Sequence, residues 1–262
     1  MKKRMFFAVM FLVFACVLQT VCGQSNESEP QVRIGIIGAM DEEISLLKET
    51  AAINNTTTAA GMIFYEGVIE GKDVVIVKCG VGKVNAGICA NILINRFGCT
   101  MVINTGVAGS LDNRIDIGDI VVSVDAVQHD MNAESLGFQK GEIPYTGLLA
   151  IPADEAMRTA AVEAIHEAAP DVHIFEGRVC TGDQFISSKE QKAAIVSNFG
   201  GLCCEMEGAA IAQACYLNNT PFVIIRAISD KADDSGSVDY GTFVAEAAVN
   251  SANVVLNMLE RF

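Results

Sequence analysis

The stretch FVIIRAIS, residues 222–229, decides the fold. A strand with water on one face alternates apolar and polar residues; this one is apolar nearly throughout, which describes a strand buried on both faces. Further strands are expected at 32–38, 74–79, 101–105, 120–127, 172–181 and 201–206. Helical patterns fall between them, near 41–51, 83–97, 153–168, 188–198, 207–217 and 240–261. Alternation of this kind argues an α/β domain with helices on both faces of a sheet. No internal repeat and no second linker divides the chain, so one domain from residue 32 to 262 is expected.

Upstream lies a different composition. MKKRMFFAVMFLVFACVLQTVCGQSNESEP has a basic start, an apolar run from Met5 to Leu18 and a polar, acidic stretch, the layout of a secretory signal too short for a membrane span. Val21 and Gly23 suit cleavage before Gln24, giving a signal at 1–23 and a linker at 24–31. The alternative is lipid attachment at Cys22, which would make the protein a surface lipoprotein, against which stand Val21 before it and Gln19 three residues upstream. Either route places the protein outside the cytoplasm. Loss of Lys2, Lys3 and Arg4 takes the formal charge from −14 to −17. So acidic a protein repels nucleic acid and anionic lipid, and its expected partners are neutral or cationic. Seven cysteines remain (Cys79, Cys89, Cys99, Cys180, Cys203, Cys204 and Cys215), mostly in apolar patterns and without CxxC. They read as buried thiols, with one or two disulfides as the alternative.

In such sheets ligands bind beyond the carboxyl ends of the strands, and the unusual residues of this chain cluster there. Met40-Asp-Glu-Glu43, Cys79-Gly-Val-Gly-Lys83, Asn104-Thr-Gly-Val-Ala-Gly109, Gly182-Asp-Gln-Phe-Ile186, Glu205-Met-Glu207 and Ser229-Asp230 all follow strands. The glycine loop at 79–87 has Asn85 where GxGxxG needs glycine and Val84 where a P-loop needs Ser or Thr, so a tight strand-to-helix turn is sufficient to explain it. His129, His166 and His173 share no metal-ligand spacing, and neither a metal nor a cofactor is expected. His166 and His173 read as surface residues; His129 is structural or near the site. Asp41 to Glu43 open a helix, where carboxylates favour the dipole, and Asp230 is either a cap or a catalytic acid. Together with Glu207, these acids suggest general acid–base chemistry on an uncharged or cationic ligand.

Seven segments in unbroken order carry a resemblance: IGIIGAMDEEISLL (34–47), CGVGKVNAG (79–87), INTGVAGSL (103–111), IGDIVVS (117–123), GDQFI (182–186), EMEGAAIA (205–212) and PFVIIRAISDKAD (221–233). From about Val32 onward the chain resembles the 5′-methylthioadenosine/S-adenosylhomocysteine nucleosidases of the nucleoside phosphorylase superfamily. The resemblance implies a single-domain three-layer sandwich, a central twisted mixed β-sheet flanked by helices. It also implies a homodimer and hydrolysis of the N-glycosidic bond between adenine and a 5-thio-substituted ribose, a reaction of methionine salvage and nucleoside catabolism. Carried over by motif, Glu43 positions and deprotonates water, Asp230 protonates adenine N7, and Glu207 accepts from the ribose 2′- and 3′-hydroxyls while Met206 packs under the sugar. Phe185 stacks on adenine, the Ile186 backbone reads its edge, Gly109 lies close to the base, and Met40 and Val107 belong to the same pocket. Arg226 and Ser229 hold Asp230 and the neighbouring loop in place, and Glu205 is a supporting or helix-start acid. A loop matching Leu136, Phe138 and Pro144 completes the partner's 5′-alkylthio pocket. Val107 stands where family members usually have Ser, and Leu136 replaces a common aromatic.

Two rival functions follow. A phosphorylase of the same fold needs arginines for phosphate where this chain has Asp41, Glu42 and Glu43, and a non-catalytic nucleoside-binding or adhesion protein needs neither Glu43 nor Asp230.

Overall fold

The computed structural model describes residues 32–262; the expected signal and linker lie outside the described residues. The chain runs β1 (Arg33–Gly38), α1 (Asp41–Thr50), β2 (Ala52–Ala59), β3 (Met62–Ile69), β4 (Lys72–Lys78), α2 (Lys83–Asn95), β5 (Met101–Ser110) and β6 (Ile120–Gln128). Then follow β7 (Ile151–Pro152), α3 (Glu155–Ala168), β8 (Ile174–Thr181), α4 (Lys189–Phe199), β9 (Cys203–Glu205), α5 (Gly208–Leu217), β10 (Phe222–Asp230) and α6 (Gly236–Leu259). Two helices start where the sequence caps them: at α3 the Asp154 side chain accepts from Met157 N and at α4 the Ser188 side chain from Gln191 N.

Strands β2 and β3 are additions to the expected order. β2 reads AINNTTTA and is mostly exposed, so it lacks the apolar run that marks a buried strand. Its turn carries the signal instead. Ala60 and Gly61 both have positive φ (49° and 76°), as do Glu70 and Gly71 (47° and 75°) between β3 and β4, the conformation of two-residue hairpins whose twist matches the strands.

The sheet is mixed, with strand order β10-β6-β8-β9-β5-β1-β4-β3-β2. Because β10 also pairs with β5, the strands β10, β6, β8, β9 and β5 close into a ring, and β1, β4, β3 and β2 extend from it as an open arm. β1 is parallel to β4 and β5, whereas β5 and β9 are antiparallel.

Alternate residues of the opening octet serve the two faces. Val223, Ile225 and Ala227 pack with Ile44, Leu47, Met157, Ala248 and Val255 of α1, α3 and α6, while Phe222, Ile224 and Ile228 pack with Leu93, Ile211 and Cys215 of α2 and α5. Each Val or Ile so buried stabilises the fold by about 1.5–3 kcal/mol. The result is three layers. All seven cysteines of residues 32–262 are buried free thiols inside them.

Candidate active site

Ring closure gathers strand ends that are distant in sequence. In register, Asp230 at the end of β10 lies beside Gly109 of β5, which lies beside Cys204 of β9. A cleft of about 520 Å³, open to solvent, lies there. Its lining includes Met40, Glu43, Val107, Gly109, Phe185, Met206, Glu207, Arg226, Ser229 and Asp230, ten residues that the sequence reading had placed in one site.

Glu43 sits in the first turn of α1 and is 1% exposed. Its Oε2 accepts from the N–H groups of Ala39 (2.6 Å) and of the helix N-cap Met40 (3.1 Å), and its Oε1 accepts from Val107 N–H at 3.0 Å. Burial pushes its carboxyl above the usual range, while Arg226 and the three N–H groups pull it back. Room for this carboxylate comes from a gap in β5. A Cβ on Gly106 would overlap Glu43 Oε1 and Arg226 Nη1.

Asp230 is 2% exposed, accepts from Ala232 N–H at 2.8 Å and from the Ser229 hydroxyl at 2.9 Å, and is also raised by burial. No cation pairs with its side chain among the described residues. Such a carboxyl keeps its proton more readily than an exposed one. Gly109 clears its space: a Cβ there would lie 2.7 Å from Asp230 Oδ1.

Glu207 precedes α5. The glycine loop cradles this carboxylate in place of a phosphate, because Gly82 N–H donates to Glu207 Oε1 at 2.8 Å. The loop is further tied by Lys83, whose N–H donates to Asp183 and whose Nζ reaches Asp130 at 2.6 Å. Burial raises the Glu207 carboxyl to about 7, against the pull of Arg226.

One expectation is corrected. Arg226 does not hold Asp230; its guanidinium bonds Glu205, Asn104 Oδ1 (2.7 Å) and the Val107 carbonyl (3.2 Å), and stands 3.6 Å from Glu207 and 3.8 Å from Glu43. Strand alternation alone would put residues 226 and 230 on one face, but a register shift between Ile228 and Asp230 turns the acid away. Ser229 does bond Asp230.

Phe185 is 44% exposed at the rim, edge-on to Tyr240 with ring centroids 5.5 Å apart. Ile186 is buried behind it, and Gly236 separates the Ile186 carbonyl from Asp230. Leu136, Phe138 and Pro144 lie outside the cleft of their own chain, and Leu136 is 68% exposed. His129 is buried against Gly182, with Nε2 unpartnered. Sequence reasoning missed Ala39, Cys204 and Tyr240 as lining residues and did not single out Val81 and Ala108 within the segments it placed there; Tyr240, whose hydroxyl donates to Met40 Sδ at 3.1 Å, follows no strand and had no signal. Val107 offers its backbone N–H to Glu43, while its side chain brings no hydroxyl.

A closed strand ring with an open arm, and buried acids at the strand ends, define a class: residues 33–260 match the model of the phosphorylase superfamily. The 5′-methylthioadenosine/S-adenosylhomocysteine nucleosidase of Shewanella frigidimarina is 40% identical over 231 residues, 88% of this chain and 100% of that one. The structure of the corresponding nucleosidase of Neisseria meningitidis, in complex with methylthio-immucillin-A, has a TM-score of 0.85 and 35% identity, covering 88% of this chain and 99% of that one. Futalosine hydrolase of Helicobacter pylori has a TM-score of 0.84 at 32% identity, with 88% and 99% covered. This chain belongs to the 5′-methylthioadenosine/S-adenosylhomocysteine nucleosidase family.

Proposed function

We propose that the protein hydrolyses the N-glycosidic bond of 5′-methylthioadenosine and S-adenosylhomocysteine, and of 5′-deoxyadenosine, releasing adenine and the 5-substituted ribose. The observation that carries this reading is the division of labour between two buried carboxyls. Burial raises both carboxyls, but Glu43 is held by three N–H groups beside Arg226, which favour its ionised form, whereas no cation pairs with Asp230 among the described residues, which favours its protonated form. They lie against Gly106 and Gly109, three residues apart in β5.

Chemically, adenine leaves poorly until N7 is protonated, which is the task of Asp230. The ribosyl cation that then develops is answered by Glu207, whose negative charge binds the transition state more tightly than the neutral substrate. Glu43 takes a proton from the incoming water. Phosphate in place of water is disfavoured by charge. The buried cation of the cleft, Arg226, is already shared among Glu43, Glu205 and Glu207, and Asp41 and Glu42 stand exposed in the same first turn of α1 as Glu43.

Assembly and place belong to the same reading. The exposed Leu136 and Tyr145 (68% and 89%) and the half-open Val81 and Phe185 at the rim support a homodimer in which the loop of one protomer covers the partner's cleft. The basic and apolar start before Val32 supports export. The reaction is tested by incubating the protein with each nucleoside, futalosine included, with and without phosphate, and separating the products. Adenine with free 5-methylthioribose, unaffected by phosphate, is expected from methylthioadenosine. A sugar 1-phosphate, or no cleavage of any nucleoside, refutes it.

A further inference from the structure

Three carboxylates face one guanidinium here, and they divide it unequally. Glu205 is bonded by Arg226 Nη2, by the Thr181 hydroxyl, and by the N–H groups of Glu207 (3.0 Å) and Gly208 (2.7 Å) at the start of α5. Four protein donors occupy it, three on Oε2 and one on Oε1. Glu207 and Glu43 stay at 3.6 and 3.8 Å from the guanidinium, close enough for attraction and too far for a hydrogen bond.

We propose that Glu205 is a positioning residue for the hydrolysis: it anchors Arg226 where the guanidinium favours Glu43 and Glu207 without pairing tightly with either. The inference rests on the reaction proposed above. A carboxylate in direct contact with a guanidinium is a poor base, because its charge is already compensated. Held just apart, Glu43 keeps the strength to take a proton from water, and Glu207 keeps charge with which to meet the ribosyl cation. Other groups facing the pair are Cys79 at the end of β4 and Tyr240 of α6, both pushed up by burial and therefore neutral near pH 7, with Asp230 across the cleft. Among the described residues packed on Glu43 and Glu207, the fixed charges come from Arg226 and Glu205.

The test is the pH dependence of kcat/KM for methylthioadenosine in the parent protein and in Glu205→Gln. The acidic limb reports the base of the free enzyme, here Glu43 and Glu207 titrating as a pair. Glutamine keeps an oxygen for the helix N–H groups but loses the charge. Arg226 is then released toward Glu43 and Glu207, and a like charge is gone; both changes favour the ionised pair. The limb moves to lower pH by about 1 unit and the plateau kcat falls. Glu205→Asp, which keeps the charge, returns the limb toward the parent position. A residue that only capped α5 would lower the melting temperature and leave the limb in place, and that result overturns the proposal. Should Glu205→Gln not fold, Asn104→Ala removes the other acceptor on Arg226 Nη2, and a smaller shift in the same direction is expected; an unmoved limb again overturns it. A parent protein that cleaves nothing refutes the reaction itself, so the two failures are distinct.

Discussion

Burial moves the Glu207 carboxyl from an ordinary 4.5 to about 7, so between those values the folded protein holds a proton there that the unfolded chain would release, and above 7 the carboxyl is ionised for catalysis. A raised folded value means stability that is complete below about 4.5 and lost as pH rises through 7. Glu207→Gln removes that loss. Its melting temperature relative to the parent should therefore climb between pH 5 and 8, with roughly 2–4 °C for each kcal/mol in a domain of this size, while hydrolysis collapses. A difference that stays flat with pH in calorimetry refutes the assignment. Glu43 and Asp230 are tested by rate. Glu43→Gln and Asp230→Asn are each expected to slow turnover by about 10²-fold or more, the range for removal of a general base or acid. A folded variant with near-parental kcat removes that residue from the mechanism.

Among the elements, β5 does most to shape the site, because it passes the two acids at glycines. Gly106→Ala would drive a methyl group into Glu43 and Arg226, neither of which has space to retreat. Overpacking of this kind costs about 1–3 kcal/mol, and displacement of the base should lower kcat/KM by about 10²-fold. Parental activity in that variant would show that the cleft yields where the structure leaves no room. The sequence revealed the elements unevenly, for physical reasons. Apolar runs such as 74–79 and 222–229 announce strands buried on both faces, and nine of the ten expected lining residues fall in the motifs at their ends, Arg226 lying within the strand itself. β2 was hidden because an exposed Asn/Thr strand needs no hydrophobic pattern, although the Ala60-Gly61 turn marked it. The extension of β5 through Gly106 and Gly109 was hidden because glycines in a strand read as loop. The link from Arg226 to Asp230 came from the resemblance alone, and the register shift between Ile228 and Asp230, which no residue pattern announces, lies between the two.

At the scale of the whole molecule, homodimerisation and export make separable predictions. Sedimentation should give a dimer at concentrations that support full activity, and Leu136→Asp should weaken the dimer and raise KM for methylthioadenosine with the fold intact; a fully active monomer refutes the shared pocket. Mass spectrometry of the protein from its native cells should find a chain beginning near Gln24 outside the cytoplasm, and an intact residue 1–23 segment on cytosolic protein refutes export. The buried cysteines bear on the proposed export. Oxidants and disulfides react with thiolates, and here burial pushes Cys99, Cys180 and Cys215 to about 12 and Cys79, Cys89, Cys203 and Cys204 upward as well. In an oxidising compartment their reaction must wait for the fold to open, so the rate at which thiol titre is lost becomes a clock for local unfolding, slowed by any ligand that closes the cleft beside Cys204.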